Sequence, residues 1–294
     1  MPWHGFEFDP IPHLLPSPDP LIRLRAREEV AGEAIDPATM LSQPLVKKIL
    51  AKQRPDGSWR NPGRRVGPDT DYEFLETYRK LGILVEIRAL DKDVPAVGKA
   101  VEFLFSRQTE EGDLRGIYGR ECSPNHTAGA LEDLIHAGYG DDGRVDRGLR
   151  WLMTVRQDDG GWVIPLRTSG WNIRKPKPDA LQPVMPDRSR PFSHMVTGVV
   201  LRAMAASPRF RELGETRIAA ELLASRLFLA DKYPDRGKPE FWTKFSFPFW
   251  FTDLASALDS LSIIGIGAGN ERIDMAIEWF RSRQREDGTL RCTI

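Results

Sequence analysis

Residues 150–162 read RWLMTVRQDDGGW, and the pattern returns, worn, at three other places. Residues 49–59 read ILAKQRPDGSW, residues 103–114 read FLFSRQTEEGDL and residues 279–290 read WFRSRQREDGTL. Each copy has an apolar or aromatic pair, a basic residue and a Gln, then an acidic-Gly turn, usually followed by a bulky apolar residue. The acidic residues Asp159, Glu111 and Asp287 lie eight positions beyond Trp151, Phe103 and Trp279, although Gln157 sits one place later than its counterparts. Self-similarity at a spacing of roughly 50 residues is the mark of a repeat architecture.

Around these turns the sequence divides into pairs of helices. A first helix is expected from Asp19-Pro20, where Asp caps and Pro suits the first turn, to near Gly32. A second is expected over 40–53, with Leu45, Ile49 and Leu50 at helical spacing. Further pairs follow at 70–81 and 94–108, at 123–137 and 145–157, at 193–206 and 215–231, and at 249–264 and 271–284. Gly82, Gly138 and Gly265 stand where a helix is expected to stop, because glycine accepts the left-handed conformation cheaply. The first helix of each pair is the more apolar (residues 199–201 and 254–264), whereas the second carries charge (RVDRGLRW, ERIDMAIEWF). A helix apolar on most sides is buried, and one with a charged face lies outside. The expected fold is therefore all-α: an α/α toroid of about five to six helical hairpins with inner and outer rings. Residues 1–18, with Trp3, Phe6, Phe8, Ile11, Leu14 and Leu15 among prolines, are expected to pack over it as extended chain. Residues 19–294 then form a single toroid domain.

Composition narrows the function classes. The 294 residues carry 42 basic and 42 acidic side chains, so nothing favours nucleic acid or an anionic membrane surface. No apolar stretch approaches the roughly 20 residues of a membrane helix, and residues 1–10 lack the pattern of a signal peptide. Cys122 and Cys292 do not make a disulfide framework, and a cytoplasmic location is expected.

The turns Gln53-x-x-Asp56-Gly57-x-Trp59 and QDDGGW at 157–162 resemble the QW repeats of squalene and oxidosqualene cyclases and of protein prenyltransferase β subunits. The resemblance runs from about residue 40 to the end. It implies the terpenoid-cyclase/prenyltransferase toroid and a small hydrophobic, isoprenoid ligand in its centre. It does not by itself imply an activity, because one fold hosts many functions. The repeated residues themselves read as structural staples.

Each such turn delivers the chain to an inner helix, so the starts of the inner helices gather at one rim, and the two long loops, 163–190 and 232–246, reach it too. Asp69-Thr70-Asp71-Tyr72 resembles the Asp-x-Asp-Asp acid motif of class II terpene cyclases. That assigns Asp71 as the general acid of a cyclisation or isomerisation, with Asp69 as its neighbour. Grouped, desolvated carboxyls raise one another's pKa, which suits a proton donor. Tyr72 stands where the motif's last Asp belongs, and helix capping by Asp69, Thr70 or Asp71 is the structural alternative. His126, Trp171, His194, Trp250, Phe251 and Asp253 complete the expected ligand-binding set with Tyr72. Among them the aromatic faces suit a hydrocarbon or a carbocation. Cys122, His126 and His194 resemble the zinc set of prenyltransferases, but Arg120-Glu121-Cys122 lacks that family's Asp. No metal or other cofactor is expected. A non-catalytic binding or scaffolding toroid and zinc-dependent prenyl transfer are the alternative functions.

Overall fold

The first helix begins as the local chemistry dictates. Asp19 accepts from the Leu21 and Ile22 amides, Pro20 fills the first turn, and α2 (Pro20–Glu29) follows a short α1 (Ile11–Leu14). The protein is described by a computed structural model over residues 5–63, 71–87, 90–117, 119–170 and 183–290. The expected 40–53 helix is instead two short ones, α3 (Pro37–Ser42) and α4 (Pro44–Leu50). Proline forces the residue before it out of the helical region, and Gln43 is extended at ψ 135°.

The remaining helices alternate in environment. The inner ones are α5 (Tyr72–Gly82), α7 (Pro124–Leu134), α10 (His194–Ala206) and α13 (Leu254–Ile264). They pack in that order, α5 on α7, α7 on α10 and α10 on α13. The outer ones are α6 (Pro95–Phe105), α8 (Gly143–Thr154), α12 (Gly214–Ala224) and α14 (Glu271–Arg281). Short helices α9 (Pro165–Thr168) and α11 (Pro208–Arg211) sit in the connections. All but one residue of α10 is buried, as expected of a helix apolar on every side, whereas α8 and α14 keep charged faces to solvent. This is an all-α toroid. Among the described residues no helix is long and apolar enough to cross a membrane.

The turns explain the recurring residues. Gln53 donates from Nε2 to the Gly57 carbonyl in its own turn (3.0 Å) and to Ala96 at the start of α6 (2.8 Å). Gln108 does the same with Gly112 (2.9 Å) and Arg144 at the start of α8 (2.8 Å). Gln157 reaches the Asp187 and Arg190 carbonyls, and Gln284 bonds Gly288 and, at 2.7 Å, Phe8. The Phe8 amide returns a bond to Gln284 Oε1 at 3.0 Å, so the last turn holds the N-terminal segment where earlier turns hold the next hairpin. Gly57 has φ 87°, and a Cβ there would lie 2.1 Å from the Lys99 carbonyl, so only glycine fits.

The bulky residue after each turn is fastened as well. The amides of Trp59, Leu114 and Trp162 donate to Thr77, Thr127 and Thr197 on α5, α7 and α10. Both indoles donate ten residues back, to Ile49 and Leu152.

Candidate functional site

The helix order places the starts of α5, α7 and α10 and the chain before α13 around one opening. They enclose a cavity of about 350 Å³. Its apolar wall comes from Leu75 and Tyr78 on α5, Met195 and Val199 on α10, Ile164, and Trp250 and Phe251. Its polar wall is Arg79, Asn125, His126, Asp235 and Arg236. The Tyr78 and Trp250 rings meet edge to face at 5.2 Å, and the Arg79 guanidinium lies 5.9 Å from the Trp250 ring. Such pairing fixes the aromatic faces that a hydrophobic ligand would meet.

The expected binding residues separate into those that line this cavity and those that build its surround. Trp250, Phe251 and His126 line it. His126 Nδ1 is 2.8 Å from Ser123 Oγ, and burial, reinforced by Arg79, lowers its pKa to about 4, so the imidazole is neutral at pH 7. His194 is buried beneath Trp242, with ring centroids 4.5 Å apart and Nδ1 3.7 Å from Asp231. Burial lowers it to about 4 as well, against the pull of Asp231. Asp253 is fully buried as the N-cap of α13, where it accepts from the Ser256 amide while Ser256 Oγ accepts from the Asp253 amide. Burial raises the pKa of its carboxyl above the usual range.

Asp71 caps α5. Oδ1 accepts from the Phe74 amide at 2.9 Å, Oδ2 pairs with Arg107 at 2.8 Å, and its own amide donates to the Ile117 carbonyl. Tyr72 is the first residue of α5, about one turn before the cavity-lining Leu75. Asp69 and Trp171 lie outside the described residues. Before α13, Trp242 is buried, Phe245 packs on Trp279 and Phe280, and Phe247 is 58% exposed against Phe249. Cys122 is buried and accepts from Arg115 Nη1 at 3.2 Å, and burial raises the thiol to about 12. Among the described residues no three His, Cys, Asp or Glu side chains are grouped as metal ligands.

A second constellation, unseen in the sequence, lies on the inner helices away from the cavity. Arg202 on α10 is buried and donates from Nε to both Glu132 oxygens at 3.0 Å, with Nη2 on the Phe249 carbonyl. Beside it Asp133 is buried, and its Oδ2 has no hydrogen-bond partner. Burial, compounded by Glu86 and Glu132, holds Asp133 well above the usual carboxylate range. Glu86 and His136 pair at the edge of this group.

Two glycines admit these polar groups. A Cβ on Gly129 would lie 2.2 Å from the Tyr78 hydroxyl, and one on Gly82 would lie 3.0 Å from Asp133 Oδ2. Residues 78 and 82 on α5, and 129 and 133 on α7, are each one helical turn apart, so each helix presents a glycine to the other's polar side chain. Gly82 therefore does not stop α5. It is helical, and the chain continues as a π-helical turn (Ile83–Ile87). A matching π turn (Ile135–Tyr139) extends α7 and contains Gly138 at φ 90°.

Over 170 residues the chain is 29% identical to a squalene–hopene cyclase of Zymomonas mobilis, a match covering 54% of this chain and 24% of that enzyme. Over 58 residues it is 40% identical to a squalene-hopene cyclase of Schizosaccharomyces japonicus, covering 20% of this chain and 9% of that one. The match thus spans about a quarter or less of these relatives' length. No family model matches the chain. A structure of the type II terpene cyclase MstE from Scytonema aligns over 87% of this chain and 82% of its own, with TM-score 0.41 and 16% identity. Over these stretches the chain is similar to squalene–hopene cyclases.

Proposed function

We propose that this terpenoid-cyclase-like chain holds a small isoprenoid ligand in the cavity at the starts of its inner helices. The observation that carries this reading is the wall made by Tyr78, Met195, Val199, Trp250 and Phe251, which offers aliphatic and aromatic surface within about 350 Å³. That size is within the usual range for small-molecule sites, which are concave and mostly apolar with a few placed polar groups. A cation formed on such a ligand would meet ring faces that attract positive charge.

We further propose acid-initiated cyclisation or isomerisation, with Asp71 as proton donor and Asp69 beside it. In that step the Asp71 carboxyl proton adds to an alkene carbon, the alkene's electron pair forms the new C–H bond, and the carboxylate remains while the ring faces shelter the cation. The competing reading is a binding toroid in which Asp71 only caps α5, and the bonds from Phe74 and Arg107 favour it.

Equilibrium binding of farnesol, followed by quenching of tryptophan emission, tests the ligand reading. Micromolar binding in the wild type that weakens at least tenfold in Trp250→Ala is expected, and equal affinity in the two would overturn it. Turnover assays of Asp71→Asn on any substrate found test the acid: loss of turnover with farnesol affinity unchanged supports it, and full turnover removes it.

A further inference from the structure

The aromatic side of the cavity is carried by chain with little backbone structure of its own. Trp250 and Phe251 line the cavity from the stretch before α13. Among the described residues, 246–252 lie in no helix and make no backbone-to-backbone hydrogen bond. Ordering such a stretch costs conformational entropy that other bonds must offset. Side chains supply them. Arg202 Nη2 donates to the Phe249 carbonyl, Thr252 Oγ1 donates to the Met195 carbonyl at 2.6 Å, and Ser256 Oγ reaches the Phe251 carbonyl at 3.4 Å.

One face of α10 acts as the template. Met195, Gly198, Val199 and Arg202 follow one another there at helical spacing, and Met195 and Val199 themselves line the cavity. Thr252 sits against Gly198, where a Cβ would lie 2.3 Å from the Thr252 hydroxyl. Phe249 sits farther along, against Arg202, whose guanidinium lies 5.9 Å from its ring. Trp250 and Phe251 are therefore suspended between two tethers on the same helix.

Arg202 is an expensive residue to place here. It is buried, and its Nη1 has no hydrogen-bond partner. Apolar side chains of similar volume often replace a buried ion pair without loss of stability, so pairing with Glu132 does not account for the guanidinium. Its fork does. Nε faces both Glu132 oxygens while Nη2 extends to the Phe249 carbonyl, and a planar guanidinium fixed on one edge presents its other donors in a set direction.

We propose that Arg202 is the positioning residue of the cavity. Oriented by Glu132, it holds the Phe249 carbonyl and thereby sets the Trp250 ring edge to face on Tyr78, where the ligand's hydrocarbon lies. This rests on the isoprenoid reading above and adds the residue that shapes the aromatic wall.

The test replaces the pair rather than breaking it, because Arg202→Ala alone strands Glu132. With Arg202→Met and Glu132→Leu in one chain both partners become apolar, and the melting temperature is expected to stay close to that of the wild type. Fluorine NMR of the fluorotryptophan-labelled chain reads the wall directly, the Trp250 resonance being assigned by its loss in Trp250→Phe. That resonance is expected to shift or broaden in the paired variant, while those of the buried Trp59 and Trp162 stay in place. An unmoved Trp250 resonance overturns the proposal. Movement of all three also overturns it, because Arg202 then supports the whole fold. Farnesol titration gives the second readout. Affinity is expected to fall about fivefold in the paired variant, the scale of a lost aromatic pair. In a Trp250→Ala chain the same paired replacement is expected to cost nothing more, and additive losses overturn action through the wall. Failure of the wild type to bind farnesol removes the isoprenoid reading and leaves the fluorine readout to decide on Arg202.

Discussion

The two ends of the inner helices are furnished in opposite ways. Toward their starts, α5, α7 and α10 surround a cavity with aromatic walls and two arginines at its edge. Farther along, the same three helices close on Asp133 and Arg202, which are buried, and on the half-buried Glu132, with glycines admitting the polar side chains. One end leaves room for something else to complete it, and the other completes itself. The difference teaches that inner-helix burial alone does not locate a site, because both ends carry buried residues and only one of the two encloses this cavity. It also separates two carboxyls of the inner helices. Asp133 is secluded behind Tyr78, whereas Asp71 faces a guanidinium at the edge of the ring.

The sharpest break of this contrast is Arg202→Ala. Removing one partner of a buried pair strands the other, so about 3–5 kcal/mol of stability should be lost in urea unfolding. Glu132→Gln in the same chain should recover part of it. A loss near that of a surface pair would mean that the closed end is not structurally closed.

Next comes a buried carboxyl at the cavity end. Glu121, just before α7, is raised from about 4.5 to about 7, chiefly by burial, with partial relief from the Leu166 amide. Between those values the folded chain keeps a proton that the unfolded chain has released. Glu121 therefore subtracts stability progressively as pH rises from about 4.5, and the loss is complete above about 7, on the order of 3 kcal/mol. Urea midpoints against pH should show a shallower decline in Glu121→Gln, and parallel curves would contradict the assigned burial.

Gly129→Ala sets a methyl group against the Tyr78 hydroxyl. Overpacking of this kind should cost about 1–3 kcal/mol, read as a lower melting temperature. Tyr78→Phe should restore part of it, and no cost at all would mean that α5 and α7 are free to separate. The smallest effect is Asp71→Ala, where loss of a helix cap predicts about 1 kcal/mol. If that substitution abolishes turnover while stability falls only by this amount, Asp71 carries chemistry as well as the cap.

Much of the architecture was legible in the residues. Asp19, Asp142, Ser193 and Asn270 cap the helices they precede, and Gly265 ends α13 at φ 90°. These are contacts within a few residues, so their chemistry is written in neighbouring letters. Chain direction alone points the stretches holding His126, Trp250 and Phe251 to one rim, where all three line the cavity. It missed Tyr78, Arg79 and Arg236 because nothing local distinguishes a cavity-facing position on an apolar helix from a packed one. Arg79, a charge within a mostly buried helix, was the one signal available. Gly82 shows the opposite error: read as a helix stop, it is a gap that admits Asp133, and only the facing helix reveals that.

The amino-acid sequence by itself determined the alternation of helix and turn. The recurring Gln, acidic and Gly residues close local turns, while the Gln side chains and the residues after the turns reach on to other hairpins, and helical periodicity marks which faces are apolar. Tertiary structure alone decided the register of α5 against α7, the pairing of Arg202 with Glu132, and the meeting of Arg79 with Arg236 at one opening. Those depend on distances between residues 51 to 157 positions apart, set by how side chains interdigitate across helices. A carboxyl's partner, and so its protonation, is settled only when that packing is complete.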